Sequence, residues 1–253
     1  MEEGKTYNES NNRKHKIMLV MPANSQGWFF HSLARETGRI GHLFSPNQER
    51  QIFPWFPYAL DNGAFSCWDM KNNTFDTSKW AELEKDWKRL LIWSQCQNYQ
   101  PRWAVVPDVI GNREQTILQW EKYARIVESC KIPLAVAVQD GMTVEDVRSL
   151  YPKPHVIAIG GTTEWKWETV EMWAKSFRRV HVLRCNSPTR LYELEALGVE
   201  SCDGTGWNRG DRKQTRGLEE WARQKAIPSR DWLSDHTCRG TRNQKNKEQI
   251  TFA

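Results

Sequence analysis

The sequence predicts a single closed (β/α)8 barrel, and three observations carry that reading. Short β-prone runs alternate with amphipathic stretches of helical period along most of the chain. Almost every run ends in a polar or glycine residue, as expected where strands deliver side chains to the mouth of a barrel. At 253 residues, with no Pro/Gly/Ser-rich linker, the chain fits one large core better than two small domains. An open doubly wound sheet is the runner-up, since it uses the same alternation.

In chain order, residues 1–15 are polar and poor in apolar side chains, which predicts a disordered lead. The barrel is expected over residues 16–226, with strands at 17–21, 40–44, 58–60, 103–106, 134–138, 156–159, 180–183 and 199–202. Helical periodicity falls at 28–35, 79–97, 114–128, 144–150, 167–177 and 189–197, and a last helix at 218–225. Trp80, Leu83, Trp87 and Leu90 share one helical face and read as core contacts. The connection over residues 45–57 has no helical period and is the weakest link of the pattern. Residues 227–253 read as a basic C-terminal arm.

Composition narrows the function. The formal charge of +5 is uneven, with basic residues gathered after Asp203 and between Arg230 and Lys247, which favours a polyanionic partner. Cys67, Cys96, Cys130, Cys185, Cys202 and Cys238 are dispersed without a CxxC pair. That spacing predicts a reducing, cytoplasmic setting, no structural zinc and no metal. No apolar run approaches the roughly 20 residues that span a bilayer, so no membrane association is expected. Of 14 Trp residues, Trp68, Trp165, Trp167 and Trp207 fall in predicted loops and are candidates for stacking on a base.

A barrel gathers its strand ends at one face, so the residues there form one candidate site. They are Asn24 and Ser25, Asp61 and Asn62, Asp108, Gln139 and Asp140, Gly160 through Thr163, Arg184 and Asn186, and Asp203. Taken singly, each could be a helix cap or a turn former. Together they offer two carboxylates, Asp61 and Asp203, able to face each other across the mouth. Such proximity pushes their pKa values apart, leaving one as nucleophile and one as acid. Breaking a glycosidic bond needs that pair. In a nucleoside the leaving group is the base, which Asp108 and Gln139 could read along its edge. Phe65 offers a stacking face, and the backbone N–H groups of Gly160 and Gly161 could approach the base closely. A stacked nucleotide must be extruded to reach such a site. Arg209, Arg212, Lys213 and Arg216, with Arg184 and Asn186, are therefore assigned to nucleic acid, and Trp207 to a flanking base.

These residues also carry a family resemblance. Asp61-Asn62-Gly63-Ala64-Phe65 resembles the DSGGF motif of tRNA-guanine transglycosylases. Val138-Gln139-Asp140-Gly141, Gly160-Gly161 and Cys202-Asp203 with Asn208-Arg209-Gly210 resemble their other motifs. Similarity is closer to the compact phage and bacterial branch that installs deazaguanines in DNA, through Val106-Pro107-Asp108, the run from Gly160 to Lys166, and Asp203-Gly204-Thr205. The resemblance spans residues 17–221. It implies Asp203 as covalent nucleophile, Asp61 as acid/base, Asp108, Gln139 and Gly160 on the base edge, and Phe65 stacked on the ring.

Two departures shape what carries over. The zinc-binding subdomain of the tRNA enzymes and the extra length that accompanies tRNA recognition are absent from the sequence, which points to DNA. The fate of the intermediate is open. Entry of a free nucleobase as co-substrate gives base exchange, and entry of water gives a DNA glycosylase that leaves an abasic site, as in repair or antiviral defence. No cofactor is expected. Two other classes compete: a non-catalytic nucleic-acid-binding barrel, and a metabolic barrel whose cations after the last strand hold a small phosphorylated substrate. The residues leave the oligomeric state open.

Overall fold

A computed structural model describes residues 17–23, 27–46, 51–69, 72, 74–208 and 212–224. The expected N-terminal lead, the whole C-terminal arm, Asn24, Ser25 and Arg209 lie outside the described residues. Eight parallel strands form one sheet: β1 (Leu19–Pro22), β2 (His42–Phe44), β3 (Tyr58–Leu60), β4 (Ala104–Val105), β5 (Leu134–Val138), β6 (Val156–Ile159), β7 (Val180–Val182) and β8 (Ser201–Gly204). They pair in the order β1-β8-β7-β6-β5-β4-β3-β2. The two ends meet through the bridges Val20 to Ile40 and Ala23 to Leu43. At that seam the Val20 N–H donates to the Arg39 carbonyl, and the Gly41 N–H to the Val20 carbonyl, each at 2.9 Å. The sheet is thus a (β/α)8 barrel and not the open alternative.

Seven helices cover it: α1 (Trp28–Thr37), α2 (Thr77–Gln95), α3 (Arg113–Ser129), α4 (Val144–Ser149), α5 (Thr163–Ser176), α6 (Pro188–Ala196) and α7 (Arg212–Ala222). The described part of the β2–β3 connection carries no helix, in keeping with its lack of period. Helix starts follow local chemistry. Asp76 accepts from the N–H groups of Ser78 and Lys79 ahead of α2. Asn112 does the same for Gln115 ahead of α3, and Thr143 with Asp146 forms a reciprocal capping box on α4.

Two cores result from the strand period of two. Outward side chains such as Val20, Leu60, Val136, Ile157 and Cys202 pack under the helices with Trp87, Trp120, Trp173 and Trp221. Inward side chains fill the lumen, where Leu19, Met21, Ala59, Val105, Ala135 and Ala137 surround Trp103. Several inward residues are small, and the fully buried Trp103 indole packs among them. Continuing the same alternation beyond Ala59, Ala137 and Ser201 brings Asp61, Gln139 and Asp203 to the inner face.

Two buried charged clusters lie away from this mouth. Glu200, at the start of β8, accepts from Arg102 at 2.7 Å and Arg179 at 2.8 Å. Arg39 pairs with Glu195 at 2.9 Å, and Trp221 Nε1 donates to the same carboxylate at 3.0 Å. No helix among the described residues is long and apolar enough to cross a membrane.

Several boundaries differ from the sequence reading. β8 runs to Gly204 because it pairs with β1 as far as Pro22, so Asp203 stands within the strand and opposite Met21. Gly204 looks like a breaker, but here it permits close approach: a Cβ would lie 2.2 Å from Asn186 Oδ1. α5 starts at Thr163, which puts Trp165 and Trp167 on a helix and not in a loop. Trp68 is half-buried in a two-residue strand. α7 begins at Arg212, so Arg212, Lys213 and Arg216 are helical. Trp207 is a correction: only 1% exposed, it packs in the outer core and cannot stack on a flanking base.

Candidate active site

A cavity of about 600 Å³ opens at the C-terminal ends of the strands. Asp61, Phe65, Asp108, Gln139, Gly160, Arg184, Asn186 and Asp203 all line it. Gly161 stands immediately behind. Residues as far apart in sequence as Asp61 and Asp203 thus share one chamber, because each follows or ends a barrel strand.

One side of the chamber is a fixed polar cluster. Asn62 Nδ2 donates to Asp108 Oδ1 at 2.7 Å and to the Val106 carbonyl at 3.0 Å. Its Oδ1 accepts from the Ala64 N–H at 2.7 Å, so both ends of this amide are occupied. Gln139 Nε2 donates to Asp108 Oδ2 at 2.7 Å. Gln139 Oε1 accepts from the N–H of Gly111 at 3.0 Å and of Gly161 at 2.9 Å. Asp108 therefore receives one donor on each oxygen, and its remaining lone pairs are acceptors. Burial pushes its pKa up to about 6, against the lowering pull of Asn62, the Arg184 charge and Gln139.

The paired glycines have a role other than the one expected of their N–H groups. Gly160 donates to the Val138 carbonyl at 2.9 Å and Gly161 to Gln139, so neither N–H is left for a base. Gly160 instead makes room for Gln139, whose Nε2 lies 2.6 Å from where a Cβ would stand. Gly161 has a φ of +68°, and a Cβ there would meet Asp140 Oδ2 at 2.5 Å. Asp140 itself is occupied in the turn before α5, accepting from Thr162 N–H and Oγ1.

The opposing carboxylates have different surroundings. Asp61 is half-buried; its Oδ1 accepts from the Asn62 N–H at 2.9 Å and its Oδ2 from Ser45 Oγ at 3.5 Å. Its pKa is raised to about 7, first by burial and then by the negative charges of Asp203 and Asp108. Asp203 is 5% exposed. Its Oδ1 accepts from the Arg184 N–H at 2.9 Å and faces His181 Nε2 at 3.2 Å.

Arg184 turns the chain at this point. Its φ of +57° is unusual for a side chain with a Cβ, and the turn aims the Arg184 N–H at Asp203. Lys166, buried on α5, supports the turn by donating from Nζ to the Leu183 carbonyl at 2.8 Å. Burial, with repulsion from Arg184, draws the Lys166 pKa down to about 8. The Arg184 guanidinium donates to the Gly161 carbonyl and lies 4.9 Å from the centre of the Phe65 ring. Phe65 is 46% exposed and forms an aromatic edge of the chamber, braced by this cation. Asn186 accepts from the Gly206 N–H at 2.7 Å, which ties the end of β7 to the end of β8.

Outside the chamber, Arg212, Lys213 and Arg216 are exposed on α7, and Arg216 pairs with Glu220 at 2.9 Å. Sequence reasoning passed over His181 and Ser201. The signal for both was a polar residue at an inward position of a strand, as in Val180-His181-Val182. Among the described residues, no group of three or more His, Cys, Asp or Glu side chains could hold a metal ion.

The fold and chamber define a (β/α)8 barrel with an acidic, hydrogen-bonded pocket at its mouth. No protein-family model matches the chain, and no curated protein gives a significant match to it.

Proposed function

We propose that the protein is an enzyme that cleaves the N-glycosidic bond of a nucleobase in DNA, acting inside the cell on an extruded nucleotide. The observation that carries this reading is the pair formed by Asp61 and Asp203 in one cavity of about 600 Å³, with the Asp61 pKa raised to about 7. A carboxyl poised near neutrality can give a proton to a departing base, while a neighbouring carboxylate attacks the sugar carbon. Asp203 is the nucleophile and Asp61 the acid, then the base that prepares the acceptor.

The polar cluster suits the leaving group. Asp108 offers acceptors, and Gln139 keeps a second Nε2 hydrogen beyond the one given to Asp108. Such a surface matches a purine edge that carries N–H donors beside a carbonyl, as guanine does. Phe65 and the Arg184 guanidinium supply a flat, cationic flank for the ring. Arg212 and Lys213, exposed on α7, are assigned to phosphates.

Mass spectrometry of DNA and of free bases after reaction tests the reading, run with and without an added deazaguanine. Incorporation of the added base marks exchange, and release of base with an abasic site marks hydrolysis. Folded protein that yields neither product nor a trapped adduct on native or modified DNA would sink the proposal. DNA binding that persists in Asp203→Asn without turnover by the wild type would instead favour a non-catalytic barrel.

A further inference from the structure

Among the described residues, Asp203 uses one of its two carboxylate oxygens for internal contacts. Oδ1 accepts from the Arg184 N–H at 2.9 Å and meets His181 Nε2 at 3.2 Å. Among the described residues Oδ2 has no hydrogen-bond partner, and the side chain lines the cavity. His181 is fully buried, with its ring centre 4.6 Å from that of Trp103 in the lumen. Its second nitrogen, Nδ1, lies 2.8 Å from Ser201 Oγ.

The chemistry of these groups fixes the direction of the contacts. A carboxylate only accepts, so Nε2 must carry the hydrogen that faces Oδ1. A serine hydroxyl can donate to Nδ1 of the neutral ring or accept from it in the imidazolium. Either way Ser201 keeps the Nε2–H aimed at Asp203. Strand alternation makes the arrangement: Ser201 and Asp203 point inward from β8, and His181 points inward from β7 beside Ser201 in register.

We propose that His181 is a positioning residue for Asp203, held by Ser201, and that it selects Oδ2 as the attacking oxygen. This rests on the glycosidic-bond reading above. In the step, an Oδ2 electron pair forms the bond to the sugar C1′, and the C1′–N bond pair leaves with the base. The base nitrogen takes the Asp61 proton, leaving Asp61 ionised. His181 makes and breaks no covalent bond. Its contribution is to stop the carboxylate from rotating and to keep Oδ1 occupied.

The test compares His181→Leu, His181→Gln and Ser201→Ala with wild type in single-turnover base release, after each variant is shown to be folded. Loss of a hydrogen bond to a charged group predicts a fall in kcat of about 10- to 100-fold for His181→Leu, with KM for DNA unchanged. Glutamine places an N–H near the position of Nε2, so His181→Gln recovers most of the rate, and Ser201→Ala shows a smaller loss of the same kind. If His181→Leu does not fold, the other two decide. Wild-type rates in all folded variants, or His181→Gln no faster than His181→Leu, would overturn the assignment.

Imidazole ¹⁵N NMR of the wild type gives a readout free of turnover. A protonated Nε2 is expected, and a bare Nε2 overturns the proposal. Wild-type protein that releases no base sinks the glycosidic reading and, with it, the choice of Oδ2. Active wild type with indifferent variants sinks only the role of His181.

Discussion

Gln139 Nε2 donates to Asp108 Oδ2 over 2.7 Å, while the other end of the same amide accepts from Gly111 and Gly161. One side chain at the end of β5 thereby ties the loop after β4 to the loop after β6. Gln139→Ala leaves two backbone N–H groups unpaired and is expected to destabilise the fold by about 2–4 kcal/mol. Urea unfolding measures it, and a loss below about 0.5 kcal/mol would mean that the amide is not holding these loops.

Gly160→Ala acts on the same amide from behind. The new methyl would lie 2.6 Å from Gln139 Nε2, and three hydrogen bonds prevent that amide from yielding cheaply. Gln139 is displaced from Asp108, so kcat/KM for base release is expected to fall about 10-fold or more, with stability lowered by about 1–3 kcal/mol. Unchanged kinetics would show that the Gln139–Asp108 contact is not used.

Acid carboxyls in the chamber predict how stability varies with pH. Asp61 and Asp108 bind protons more tightly folded than unfolded, with pKa values of about 7 and about 6 in place of roughly 4. Their contribution is fully present below about pH 4 and is lost as pH rises through about 6 to 7. Thermal stability should therefore decline across that window. Asp61→Asn keeps an acceptor for the Asn62 N–H without the charge and is expected to stabilise the protein at pH 8 by about 1–3 kcal/mol, while abolishing turnover. Melting curves at pH 5 and pH 8 check the sign; a wild-type protein more stable at pH 8 would contradict it.

Trp207 and the α7 cations should separate cleanly. Trp207→Ala empties a buried site and is expected to cost about 3–5 kcal/mol of stability. Arg212→Ala and Lys213→Ala, at exposed positions, should leave stability within about 0.5 kcal/mol and reduce the salt slope of DNA binding by about 1 each. Salt titrations of binding test this, and an unaltered slope would remove both residues from the phosphate contacts.

How legible was this molecule in its sequence? The strands at β3, β5 and β6 match the predicted bounds, because each is a compact apolar run bounded by proline, polar or glycine residues. Most of the chamber's residues were readable as polar side chains at or just past the ends of such runs, with Asp61, Gln139 and Asp203 two positions beyond the inward Ala59, Ala137 and Ser201. Errors came where long-range contacts override local signals. Gly204 stays in its strand because β1 and Asn186 press against it, which no local pattern reveals. Trp207 follows a glycine-rich turn and reads as exposed, yet the outer core takes in its ring. The glycine N–H groups were misassigned because their acceptors, Val138 and Gln139, become visible only in three dimensions. His181 and Ser201 needed strand register between β7 and β8, which composition does not contain.

The seam between β1 and β2 sets how the cylinder yields. Most other neighbouring strands share ladders of two or more paired residues, whereas this junction relies on isolated bridges, and its next connection has no described helix laid over it. Ala23 and Leu43, which form one of those bridges, also border the chamber. Amide exchange should accordingly begin along this line, and any breathing of the wall there widens the entrance to the chamber.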